Sequence, residues 1–79
     1  MISVIIPTLN AAPKLPDTLS ALIPAAVEGH VREVIVADGG SSDATERIAD
    51  AAGVEFLKTA RGRGQQMAAG AARARFPWL

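Results

Sequence analysis

The sequence predicts an α/β fold of three layers, a parallel sheet between helices. Two observations carry this. Short runs of β-branched, wholly apolar residues suit strands buried on both faces. Between them lie longer stretches with apolar residues at helical spacing, giving the order β-α-β-α-β-α, which implies crossover connections and parallel strands. With 79 residues the chain is expected to be a single, partial domain spanning 1–79.

Ile2–Ile6 is the first predicted strand, and Pro7, which cannot donate to a ladder, is expected to end it. Thr8–Ala12 reads as a loop. Leu15, Leu19, Leu22, Ile23, Ala26 and Val27 recur at helical spacing. Pro13 or Pro16 suits a first turn, whereas Pro24 is expected to kink or break the helix. Gly29 closes it. Glu33–Ala37 is a second buried strand ending at Asp38, and Gly39–Ser42 is a turn. Asp43 is expected to cap the next helix, with Glu46 completing a capping-box pair. That helix runs to about Ala52 and stops at Gly53. Val54–Lys58, less apolar, reads as a strand at a sheet edge. Thr59–Gly64 is a basic, glycine-containing loop. Gln65 to about Arg75 reads as a helix with Met67, Ala71 and Ala74 on one face. Phe76–Leu79 looks like the approach to another strand.

Composition narrows the function classes. Cysteine is absent and His30 is the lone histidine, which excludes disulfides, thiolate metal sites and a histidine cluster. No apolar run approaches the ~20 residues of a membrane span, and Met1 leads into the first strand with no basic leader. The expected location is the cytoplasm, including the cytoplasmic membrane face, and no nucleic-acid partner is expected. Net charge is zero, but the charges are segregated. Residues 56–79 carry Lys58, Arg61, Arg63, Arg73 and Arg75 and no acid. That tail suits either an anionic ligand such as a diphosphate or a solvated helix face.

In open α/β sheets ligands bind beyond the carboxyl ends of the strands. Pro7-Thr8-Leu9-Asn10 and Asp38-Gly39-Gly40-Ser41-Ser42-Asp43 fall at that edge. Asp38, directly after a buried strand, needs partners. Its carboxylate can accept from a nucleobase or ribose, cap the turn through Gly40 and Ser41, or do both. Gly39-Gly40 permits close backbone approach or an ordinary tight turn. Thr8 and Asn10 suit local backbone bonds as well as ligand contact. Arg61, Arg63 and Gly64 precede a helix amino terminus, a place that favours anions. There is no G-x-G-x-x-G after the first strand and no Walker motif.

Ser3–Asn10 and Val34–Thr45, about thirty residues apart as one β-α-β unit requires, resemble the first two motifs of family-2 glycosyltransferases. Arg61–Ala71 resembles the third, a basic glycine-rich loop opening a helix. The resemblance covers essentially the whole chain. It implies the nucleotide-binding half of a Rossmann-like GT-A domain that takes a nucleoside-diphosphate sugar, UDP- or GDP-linked. It places Pro7, Thr8 and Asn10 around base and ribose, Asp38 and Gly39 at the base or ribose, and Arg61, Arg63 and Gly64 towards the diphosphate. It also implies Mg or Mn in the full-length enzyme, held by an acidic motif after the next strand. The chain is therefore expected to be an amino-terminal fragment without catalytic or metal-ligating residues of its own. The sequence departs from the family at Gly39, where many members carry a second acid, and at Ala68-Ala69, where an Asn often stands. A nucleotidyltransferase-like domain and a non-catalytic anion- or protein-binding module are the alternatives. The strand order implied, 3-2-1, leaves the first strand as an apolar edge, so a homo-oligomer through that edge, or by segment exchange, is expected.

Overall fold

The computed structural model describes residues 2–78. The elements follow as β1 (Ile2–Thr8), α1 (Leu15–Val27), β2 (Val31–Asp38), α2 (Thr45–Ala52), β3 (Glu55–Lys58) and α3 (Arg63–Arg73). The sheet is parallel throughout in the order β1-β2-β3, so β3 is an edge strand as its composition predicts. The expected α/β class is the observed one.

Side chains of a strand alternate between faces, and the sheet uses both. Val36 sits with Leu15 of α1 and Ala49 of α2 in a core joined by Ile6, Leu19, Ile48, Val54 and Phe56. On the other face α3 packs against β1 and β2. There the helix backbone comes so close that a Cβ added at Gly70 would collide with Ile5 Cγ2 and lie 3.3 Å from its Cδ1. The inward face of α3 is centred on Gln66 and Gly70, one residue away from the expected Met67, Ala71 and Ala74, which are half-buried at its flank.

The expected end of the first strand at Pro7 is corrected, and so is a break of the helix at Pro24. β1 continues through Pro7 to Thr8. Ile2 donates inward to the His30 carbonyl and Ser3 outward to the Pro77 carbonyl, so odd-numbered amides of β1 face away from β2. Pro7 is odd-numbered, and its missing donor costs the ladder nothing. α1 likewise runs through Pro24. There the chain forgoes the bond to the Ser20 carbonyl and resumes with Glu28 donating to Pro24.

α3 starts two residues earlier than expected and ends at Arg73. Ala74 turns to an extended conformation, and buried Glu33 takes over the following residue. Its Oε1 accepts from the Arg75 amide at 3.0 Å and its Oε2 from Arg75 Nε at 3.1 Å. Ser3 Oγ completes the network at 2.8 Å. The chain beyond α3 is thus led back to the outer side of β1, where Trp78 forms a parallel bridge with Ser3. No helix among the described residues is long and apolar enough to cross a membrane.

Candidate functional site at the carboxyl edge of the sheet

Three loops meet at the carboxyl ends of the strands, and hydrogen bonds rather than apolar contacts join them. Thr8 and Asp38 are register partners at the ends of β1 and β2. Thr8 Oγ1 donates to Asp38 Oδ1 at 2.7 Å. Oδ1 also accepts from Ser41 Oγ, while Oδ2 accepts from the amides of Gly40 at 3.0 Å and Ser41 at 2.8 Å. Asp38 is only 2% exposed. Burial works to raise its pKa, but the Ser41 and Thr8 hydroxyls and the two amides outweigh it and hold the carboxyl below its ordinary range. Of the two roles open to Asp38 in the sequence, turn-capping is the one the structure displays.

Beyond Thr8 the chain reaches Asn10, which adopts the left-handed φ of 52°. Asparagine tolerates this conformation better than most residues, and here bonds to the second loop hold it. The Asn10 amide donates to Ser41 Oγ at 2.7 Å and its Oδ1 accepts from the Ser42 amide at 2.8 Å. The expected Asp43 cap is present in altered form. Asp43 Oδ1 accepts from the amide and hydroxyl of Thr45, and Oδ2 from the Ala12 amide at 3.1 Å. Thr45 Oγ1 in turn accepts from the Ala11 amide at 3.1 Å. Asp43 therefore secures the β1–α1 loop as well as the start of α2. Glu46 completes no capping box; it lies 3.7 Å from Lys58.

The third loop arrives from the opposite face of the sheet. Gly62, with φ 139° and ψ 125°, takes a conformation that suits glycine and leads into α3. The α3 amino terminus has no side-chain cap, so its first amides are free to meet a ligand. Arg61 and Arg63 are exposed, and among the described residues neither takes part in a salt bridge. Gln66, to which the sequence assigns no role, is 5% exposed. It donates from Nε2 to the carbonyls of Thr8 and Ala37, both at 2.8 Å. No signal in the sequence marks it, because the expected inner face runs through Met67, Ala71 and Ala74 and leaves Gln66 beside it.

The structure thus brings Pro7, Thr8, Asn10, Asp38 and Gly39 together, with Arg61, Arg63 and Gly64 bordering them across Gly39. Glycine at position 39 has a steric reason. A Cβ there would stand 3.1 Å from Gln66 and 3.3 Å from the Arg61 Cα. A hollow of about 700 Å3 begins at Asp43 and runs between α2 and β3 against Glu46, Arg47, Asp50 and Phe56. Among the described residues no group of three or more His, Cys, Asp or Glu can hold a metal. The carboxylates of Asp38 and Asp43 are spent on the loops' own donors, so these residues do not fit a metal centre.

Comparison with known proteins agrees with this geometry. The family described as glycosyl transferase family 2 matches residues 3–79. No curated protein sequence matches. Among solved structures, glucosyl-3-phosphoglycerate synthase from Mycobacterium tuberculosis, in complex with Mn2+, UDP and glucosyl-3-phosphoglycerate, is 30% identical with a TM-score of 0.75, over 90% of this chain and 29% of that one. A mycobacterial protein is 30% identical with a TM-score of 0.84, over 96% of this chain and 28% of that one. The synthase in complex with phosphoglyceric acid is 38% identical with a TM-score of 0.65, over 73% and 20%. The chain therefore spans less than a third of the length of these structures. Its sheet order, its parallel strands and its matched motifs all lead to one assignment: the chain belongs to glycosyl transferase family 2, with the Rossmann-like GT-A fold.

Proposed function

We propose that these residues are the nucleotide-sugar-binding part of a glycosyltransferase that takes a UDP- or GDP-sugar and passes the sugar, with inversion, to an acceptor. The observation that carries this reading is the convergence of the three loops on one sheet edge, joined there by hydrogen bonds through Asp38, Asn10 and Gln66. Base and ribose lie against Pro7, Thr8 and Asn10 and the Asp38-Gly39 turn. The diphosphate lies towards Arg61, Arg63, Gly64 and the open amino terminus of α3, where guanidinium groups and free N–H groups both favour an anion. That several of the synthase structures contain UDP, alone or with Mn2+, or UDP-glucose with Mn2+, supports this reading. A divalent ion, Mg or Mn, belongs to the full-length enzyme in this reading, with none of its ligands among the residues described.

Calorimetric titration with UDP, GDP and a polyanion at two salt concentrations tests the proposal. The expected result is weak, base-selective binding that persists at moderate salt, with no sugar transfer by residues 1–79 alone. Binding without base preference that vanishes with salt identifies a general anion-binding module instead.

A further inference from the structure

The nucleotide reading leaves the buried amide of Gln66 unused, and it stands between all three loops. Gln66 spends both donors of its amide on the strands that carry the first two loops, at the Thr8 and Ala37 carbonyls. Its Oε1 accepts from the Gly62 amide, 3.3 Å away, in the turn that carries the third. An uncharged amide is suited to this position. The Thr8 carbonyl already accepts from the Gly39 amide at 3.0 Å, so the glutamine is a second donor there; a leucine offers neither carbonyl that bond, and a carboxylate repels them. The same amide occupies the space above Gly39, since an added Cβ would lie 3.1 Å from Gln66 Cδ and Oε1.

We propose that Gln66 is the positioning residue of the site: it holds the Arg61–Gly64 turn over the ends of β1 and β2, and its presence there requires glycine at position 39. Gln66 need not touch a ligand to act. It fixes the Gly62 amide, and through the Gly62 backbone the direction in which Arg61 and Arg63 leave the sheet edge. The ligand part of the test rests on the nucleotide reading, while the other two parts do not.

The test compares the wild-type protein with Gln66→Ala, Gly39→Ala and the double variant. In melting experiments Gly39→Ala lowers the midpoint by several degrees in the wild-type background and by about a degree or less once Gln66 is alanine, the non-additivity expected of residues in contact. In hydrogen exchange, Gly39→Ala, which retains the glutamine but displaces it, speeds exchange of the Gly62 amide about tenfold and leaves the β2 amides unchanged. In titrations, Gln66→Ala lowers the ratio of UDP to uridine affinity about tenfold while uridine binding is kept, because the phosphate-facing turn is what loosens. Additive melting losses or unaltered Gly62 exchange overturn the proposal, as does an unchanged UDP-to-uridine ratio. Should Gln66→Ala fail to fold, Gly62 exchange in Gly39→Ala alone decides. A wild-type protein that binds no UDP refutes the nucleotide reading and leaves the melting and exchange results to decide on Gln66.

Discussion

Asp38 has room for about four hydrogen bonds on its carboxylate, and the chain fills them with two hydroxyls and two amides. This saturation separates two substitutions that look alike on paper. In Asp38→Asn the remaining oxygen can keep the Gly40 and Ser41 amides, and the new Nδ2 can donate to the hydroxyl oxygens of Thr8 and Ser41. The turn survives at a cost of about 1 kcal/mol. Asp38→Ala strips all four donors at once and is expected to cost about 2–4 kcal/mol in urea unfolding. If Asp38→Asn still weakens UDP binding several-fold, its charge acts on the base or ribose; equal affinity confines it to the turn. The same bonds fix a pH dependence. Asp38 is held below its ordinary pKa by the hydroxyl and amide bonds that overcome its burial, Asp43 chiefly by the Thr45 hydroxyl, and Glu33 chiefly by the Arg75 amide. Unfolded, these groups take up protons at their ordinary values of 3.8 for Asp and 4.5 for Glu; folded, they do so only at lower pH. Below about pH 4.5 the unfolded chain therefore binds more protons, and stability falls as pH falls. Melting midpoints from pH 7 to pH 3 should be flat above about pH 5 and drop below it.

At the level of elements, α3 is the one whose placement depends on a single missing side chain. Gly70 lets the helix backbone rest on Ile5, and a methyl group at position 70 has no space without displacing Ile5. Gly70→Ala gains about 1 kcal/mol of helix propensity but overpacks a fitted contact, which typically costs about 1–3 kcal/mol. A net loss is expected in thermal melting, and it should shrink in an Ile5→Ala background. The helices and strands were legible because Val4-Ile5-Ile6 and Val34-Ile35-Val36 are apolar on both faces, and because Asp38-Gly39-Gly40 and Gly53 mark where elements stop. The strand that continues through Pro7 was not legible, since which way a residue's amide points depends on pairing that sequence does not state. The hidden part of the site has the same origin. Gln66 reads as an ordinary helical glutamine until the carbonyls of Thr8 and Ala37, 58 and 29 residues away in sequence, are seen to lie beneath it. α3 ends at Arg73 although Arg75 looks helical in sequence, because Glu33, 42 residues earlier, binds the Arg75 amide.

For the molecule as a whole, the described residues pack as one unit: the Cα radius of gyration is 11.6 Å, close to the ~11.6 Å expected of a globular chain of this length. What is unbalanced is the sheet. β3 is short at one edge, and β1, apolar on both faces, forms the other. An edge of this kind is a template for another strand, though this one is partly blunted. Ser3 already donates outward to Pro77, and Pro7 has no donor to offer. The amide of Ile5 lies between them and, by the alternation of β1, points outward. Trp78, bridged to Ser3 and 52% exposed, shows that the outer side of β1 accepts a parallel strand. Residues 1–79 in isolation are therefore expected to self-associate through β1, either edge to edge or by exchanging the segment around Trp78 between copies. Sedimentation at several concentrations should show a mass that rises with concentration. Val4→Lys, which sets a charge on the half-buried edge strand, should return the protein to a monomer, as edge lysines do elsewhere. A wild-type protein that stays monomeric across the series would mean that Pro7 and the Trp78 bridge protect the edge by themselves, and that the Ile5 amide, which has no partner among the described residues, is too little to recruit one.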